Sequence, residues 1–321
     1  MRHSILTLVL CALAITACRD DTPPQKHGRA FQPESGKKLV FAHQDTYADL
    51  LERVEQLPFG ITVNTSIYSN ASVRLSNGET VGSLRELLHR NANLVPLLLT
   101  YVDRSMFKPL YTGELDTLIV DFAESLREYG RPIYLALGYE VNNPLLRIPA
   151  DEYVRTYRYI VDKLTEDGIK NVSYVWPIIS MIPRFDPYPN PMDYFPGEAY
   201  VNWIGLTMHN VTPAHFPESE ATYFKAPDYE RVLSISREKE IPILIVESST
   251  RSVNKNFGLA GKELWDNWYE PFFDFVDHPE VMVFTHAFHN LDDDVVVKLF
   301  VSRMEEDKYV HVDPELAGKF K

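Results

Sequence analysis

The chain has 321 residues, 45% hydrophobic and 24% charged, an ordinary globular composition long enough for one large domain or two small ones. Its formal net charge of −13 argues against nucleic acid or an anionic membrane surface as the main partner and fits a neutral or cationic ligand. Aromatic residues make up 12%, including 18 tyrosines, which favours stacking on flat ligands such as sugar rings alongside ordinary core packing.

Residues 1–18 read MRHSILTLVLCALAITAC: a basic start, an apolar stretch from Ile5 to Ile15, and small residues before Cys18. This is the pattern of a secretory signal, too short to span a bilayer, which needs about 20 apolar residues. ITAC resembles the bacterial lipobox, so residues 1–17 are expected to be removed and Cys18 lipidated. The competing reading is a plain signal peptide that happens to contain Cys18. Cys11 lies in the removed part, leaving one modified cysteine and no disulfide. Arg19 rather than Asp follows Cys18, so the inner-membrane retention signal is absent and an outer-membrane anchor in a bacterial envelope is expected. The polar stretch from Arg19 to Lys37 reads as a flexible tether, and 38–321 as one domain acting as a monomer.

From Lys38 onward, short apolar runs alternate with stretches of helical periodicity. The runs are Leu39–Ala42, Gly60–Ile67, Leu94–Tyr101, Pro132–Leu137, Val172–Trp176, Val201–Met208, Ile241–Val246 and Val281–Thr285. Thr117–Tyr129, Asp151–Asp167, Tyr229–Lys239 and Gly261–Val276 are clear helices between them. Such alternation predicts a parallel sheet buried on both faces. Eight repeats match a (β/α)8 TIM barrel, whose usual size is about 250 residues. A doubly wound open sheet is the structural alternative, but no glycine-rich phosphate loop follows any run, and no cofactor is expected.

A barrel of this kind carries its chemistry where the strands end. Run 4 ends in Tyr139-Glu140-Val141-Asn142, and run 7 ends in Glu247-Ser248-Ser249. Both glutamates should project at the same mouth, from strands that face each other. A buried carboxylate is costly unless paired or hydrogen-bonded, so each placement calls for a reason. Two converging carboxyl groups are what glycoside hydrolysis needs: one protonates the leaving oxygen, and the other attacks the sugar or activates water. The ordinary alternative for either is a capping or salt-bridged carboxylate.

Several segments resemble glycoside hydrolase family 26, retaining β-glycanases built on a (β/α)8 barrel. FAHQD (41–45) is similar to the family's opening strand, and GYEVNN with the later IPADEYVRTYRYIVDKL to its Glu-x-Asn motif and following helix. VSYVWP, YFPGEAYVNWIGL and PILIVES are similar to its strands 5, 6 and 7, so the matches run in order over about residues 39–290. The resemblance implies Glu140 as general acid/base, Glu247 as nucleophile and Asn142 as a polar neighbour. Departures are present too. The family's mannanases usually carry His where Tyr139 stands and Arg where Ala136 stands. Their strand 3 pattern is replaced by Tyr101-Val102-Asp103, and Phe288 and His286 stand where strand 8 usually offers Trp. These departures bear on mannan specificity and leave the two carboxylates in place. The chain looks closer to a divergent branch bearing GYE at strand 4.

Further candidates to contact a carbohydrate are His43 and Gln44 at the end of run 1, Tyr139, Trp176 at the end of run 5, His209 with Asn210 after run 6, and Phe288. Each has an ordinary packing alternative, and Trp203, early in run 6, is expected in the bottom of the core. Asp292–Asp294 suit the N-terminus of a helix better than a cation site. His286 and His289 lack the spacing of a zinc pair, and no Cys or Gly-x-Ser-x-Gly elbow is available, so no metal is expected. The reading is a retaining β-glycoside hydrolase, an endo-acting glycanase. A non-catalytic glycan-binding envelope lipoprotein on the same barrel is the alternative, and an unrelated structural lipoprotein a third. Long aromatic-bearing loops after runs 5 and 6 look like cleft walls stiffened by proline, which favours the first two.

Overall fold

Lys38–His43 is an apolar run buried along its whole length, so it can pair on both edges and pack on both faces. It forms strand β1 of a parallel sheet that continues through β2 (Gly60–Ser66), β3 (Val95–Tyr101), β4 (Ile133–Leu137), β5 (Val172–Ile179), β6 (Trp203–His209), β7 (Ile243–Ser249) and β8 (Val281–His286). β8 pairs back onto β1, with Leu39 beside Val283 and Ala42 beside His286, which closes the sheet into an eight-stranded (β/α)8 barrel. The computed structural model describes residues 32–53, 58–67, 73–74, 80–81, 83–90, 93–179, 189–209, 226–249, 260–287 and 293–311.

Period-two alternation divides the strand side chains between two cores. Inward positions form the lumen: Leu39 and Phe41 of β1, Leu97 and Leu99 of β3, Tyr134 of β4, Val175 of β5, Trp203 of β6 and Leu244 of β7. Outward positions such as Ile61, Leu135, Trp176, Ile204 and Ile245 pack against the helices. The bottom of the lumen is aromatic: Tyr134 meets Phe41 and Trp203 edge-on at 5.7 and 5.5 Å. The Trp203 indole N–H donates to Ser173 Oγ at 3.0 Å, so this buried polar atom is satisfied. Trp203 is a core residue, as its early position in the strand predicts.

The helical stretches fall where periodicity placed them, as Asp116–Tyr129, Ala150–Glu166 and Ala226–Lys239. The fourth, Gly261–Val276, is broken by a π-helical turn over Trp265–Tyr269 just before Pro271, whose missing N–H cannot continue the α-helical ladder. Five strands run beyond the apolar runs: β1 extends to His43, β5 to Ile179, β6 to His209, β7 through Glu247 to Ser249, and β8 to His286. Polar residues near these ends are buried and bonded to one another, as Ser248 Oγ is to His286 Nδ1 at 2.9 Å. At the opposite end, a short strand, Tyr309–Val310, adds to the start of β1 beside Lys38 and Leu39. No described helix is long and apolar enough to cross a membrane.

Candidate active site

β4 stops at Leu137, and the chain turns sharply at Gly138, whose φ of 96° is open only to glycine at low cost. A Cβ at Gly138 would also come within 2.8 Å of Val141 Cγ1. Two residues on, Glu140 holds a φ of 43°, the left-handed region, which costs a residue with a side chain about 1–3 kcal/mol. The surrounding bonds keep it there. Asn143 N donates to the Glu140 carbonyl at 2.7 Å, and Val141 N donates to the Pro177 carbonyl of β5 at 3.1 Å. The Asn142 amide binds Ile179 twice, accepting from its N–H at 2.9 Å and donating to its carbonyl at 3.1 Å. The loop that presents Glu140 is therefore stitched to β5, and its strain is local to the carboxylate.

Glu140 is 5% exposed, and its Oε2 accepts from Asn143 Nδ2 at 2.7 Å. Glu247 reaches the same mouth from β7, where its Oε2 accepts from the Tyr139 hydroxyl at 3.2 Å. Burial pushes the Tyr139 phenol far above its ordinary range, and the charges of Glu247 and then Glu140 add to the rise. A hydrogen bond to Glu140 contributes as well. Tyr139 thus remains a proton donor, with its hydroxyl in the field of both carboxylates. The Tyr101 ring rests on Tyr139 with centroids 5.2 Å apart. Its phenol is raised by burial first, then by Glu247, Glu140 and Asp45. The ends of β1, β3, β4 and β7 therefore converge on one acidic, tyrosine-lined mouth.

The other expected residues divide by strand parity. His43 is buried in line with Leu39 and Phe41, and its Nδ1 accepts from Asp45 N at 3.3 Å. Gln44 follows, anchored by its main-chain N–H on the Thr62 carbonyl. Asn142 is spent on Ile179, and the amide that reaches Glu140 belongs to Asn143. Trp176 does not enter the mouth. It faces the helices, fully buried against Phe195 at 5.0 Å, because its neighbour Val175 faces the lumen and alternation turns Trp176 outward. His286 is outward too, bonded to Ser248 Oγ at 2.9 Å and Tyr269 OH at 3.3 Å, while Thr285 points inward to Thr62. Of His209 the structure describes the main chain, opposite Ser249. Cys18, Asn210, Phe288, His289 and Asp292, with most of the loops after β5 and β6, lie outside the described residues. Asp293 caps the helix Asp294–Met304 by accepting from Val295 N and Val296 N at 3.2 and 3.1 Å. Among the described residues, no group of three or more His, Cys, Asp or Glu is placed to hold a metal ion.

Sequence reasoning passed over Asn143, and treated Tyr101 and Asp45 only as parts of motifs. The available signal was that both belong to strand ends, Tyr101 closing β3 and Asp45 following β1.

No family model matches the chain. Two curated proteins align with it. A β-1,3-xylanase, TXYA, of Vibrio sp is 24% identical over 252 residues, covering 74% of this chain and 53% of the relative. A β-1,3-xylanase of Alcaligenes sp is 23% identical over 303 residues, covering 90% of this chain and 61% of the relative. The chain thus spans between half and two thirds of the length of these relatives. Among solved structures, a GH26 β-mannanase from Bacteroides ovatus superposes with a TM-score of 0.62 at 12% identity, over 89% of this chain and 93% of that one. A modular endo-β-1,4-mannanase from Cellulomonas fimi gives 0.59 at 16% identity, over 89% and 74%. The barrel is the fold of these mannanases.

Proposed function

We propose that the chain is a glycoside hydrolase that cleaves a β-linked glycan by double displacement, with Glu247 as nucleophile and Glu140 as general acid/base. The observation that carries it is the Tyr139 phenol, bonded to Glu247 and held in the field of Glu140 at the C-terminal mouth of the barrel. In the first step Glu247 attacks the anomeric carbon while Glu140 gives its proton to the departing glycosidic oxygen. In the second, ionised Glu140 takes a proton from water, whose oxygen attacks the same carbon and releases Glu247. Tyr139 stabilises the negative charge of Glu247 between turnovers, and Asn143 orients the Glu140 carboxyl.

β-1,3-Xylan is the first substrate to try, because the curated relatives carrying that name align over 74% and 90% of this chain. The replacements at Tyr139 and Ala136 favour it over mannan. The reading also places the chain at a bacterial envelope through a lipid on Cys18, motivated by the ITAC boundary. Palmitate labelling that persists in Cys18→Ser would sink that placement.

The test of the chemistry is stereochemical. NMR of fresh product should show the β-anomer first, as two inversions require. Glu247→Ala with azide should give an inverted glycosyl azide, and Glu140→Ala with azide and an activated aryl glycoside a retained one. Products of the opposite configuration would exchange or abolish the assignments. A barrel that binds glycans and releases no reducing ends would be a binding protein instead.

A further inference from the structure

β3 is buried from Val95 to Thr100, and its last residue, Tyr101, is 45% exposed. Of the described large apolar side chains that are exposed, Tyr101 is the one on a barrel strand. Leu51, Val120 and Val295 lie on helices, and Leu145 and Leu146 in the loop after β4. Alternation after the lumen residues Leu97 and Leu99 turns Tyr101 to the same side, one layer higher. Its ring lies against Tyr139 with centroids 5.2 Å apart and planes tilted by 36°. Tyr139 donates to Glu247 at 3.2 Å, so Tyr101 stands one ring away from that carboxylate. Burial raises its phenol first, and the charges of Glu247, Glu140 and Asp45 add to the rise. The open surface of Tyr101 therefore faces the mouth and not the outside of the barrel.

An aromatic ring open to water gains from any ligand that covers it, and its surroundings narrow the ligand. Three carboxylates nearby repel an anion. A plain hydrocarbon would cover the ring and leave those carboxylates without donors. A neutral pyranose meets both demands: its hydroxyls donate to carboxylates, and its axial C–H bonds form a weakly positive face that suits the negative face of an aromatic ring. β-Xylopyranose is the plainest case, since every substituent is equatorial, both faces carry only axial C–H, and no hydroxymethyl group projects. We propose that Tyr101 is the stacking platform that holds one neutral pyranose ring of the substrate beside Glu140 and Glu247. Tyr139 backs the platform by its own ring contact. The proposal rests on the glycosidase reading and adds to it a residue that selects the ring by its face.

The test separates the ring from its hydroxyl, and binding from support of Tyr139. Tyr101→Ala and Tyr101→Phe are each made in a Glu140→Gln background, and β-1,3-xylotetraose is titrated calorimetrically. The alanine variant should lose about tenfold in affinity or more, and the phenylalanine variant, which keeps the face, should stay within about threefold of the parent. In the active chain, Tyr101→Ala should raise KM about tenfold and leave kcat within about threefold. A fall in kcat at unchanged KM would make Tyr101 a prop for Tyr139 and overturn the proposal. Equal losses in both variants would assign the contact to the hydroxyl and overturn it too. A glucosamine tetramer that binds about tenfold tighter than xylotetraose would make the ring a cation site, and the neutral pyranose would be wrong. Unchanged binding in Tyr101→Ala, with glycan still cleaved by the parent, would sink this inference and leave the glycosidase reading standing. A parent that neither binds nor cleaves the oligosaccharide would count against that reading and against the platform with it.

Discussion

The two ends of the barrel lumen are built on the same strands, with a shift of register on β7 at Val246 that separates inward Leu244 from Glu247 at the mouth, and behave as different materials. The lower half is aromatic and closed: Phe41, Tyr134 and Trp203 meet edge-on, and its one indole N–H is satisfied by Ser173. The upper half carries Glu140 at a strained φ, Glu247 beneath a tyrosine hydroxyl, and buried amide and imidazole atoms without partners. Each of these features costs stability, and the packed floor below offsets them. A lumen divided in this way keeps its chemistry where solvent and ligand enter, and its stability where neither does.

That division can be broken from either end. The largest effect on activity should come from Glu247→Ala, which removes the attacking atom and should lower turnover by more than about 10⁴-fold. Glu140→Ala should lower cleavage of natural glycans by about 10²–10⁴-fold. Thermal scans of both variants should stay near the parent, and a large fall in Tm would show that the mouth supports the fold after all. The mirror experiment is Trp203→Ala, which opens a cavity in the floor. Its expected cost is about 3–5 kcal/mol in denaturant unfolding, with turnover per folded molecule largely kept. Retention of full stability would refute the packed-floor account.

Tyr139→Phe sharpens the comparison within the mouth. A hydrogen bond to a charged group is worth about 1.5–3 kcal/mol, so kcat should fall about tenfold to a hundredfold with little change in KM. A change confined to KM would make Tyr139 a binding group only.

The smallest expected effect lies at the barrel's lower rim. Lys38 is 5% exposed and donates to the His278 and Val281 carbonyls, and burial lowers its pKa to about 8. The folded state therefore holds fewer protons than the unfolded one between about pH 8 and the ordinary lysine value of 10.5. Stability from this group is fully present above the unfolded value and is lost as pH falls through about 8. Relative to Lys38→Met, the parent should gain about 1–2 kcal/mol from pH 7 to pH 10. A stability difference that stays flat over this range would show that the ammonium carries no burial penalty.

Much of the architecture was legible in the sequence. Eight apolar runs spaced by helical periodicity left few options besides a closed parallel sheet, and Glu140 and Glu247 stood out because each ends an apolar run. The misplacements have one cause. Trp176 and His286 are offered to the ligand by the sequence, but each follows a residue that faces the lumen, Val175 and Thr285, so alternation turns both outward. The choice between Asn142 and Asn143 was equally closed to sequence, since it turns on the left-handed φ at Glu140.

Composition and pattern alone determined the repeat number, the parallel sheet and the two carboxylates at strand ends, because burial and periodicity are local properties of the chain. Only the tertiary structure decided which amide reaches Glu140, that Tyr139 touches Glu247, and that Thr62 of β2 meets Thr285 of β8 inside the lumen. Those relations join residues from separate strands, and register and barrel closure, which no single segment encodes, set the distances between them.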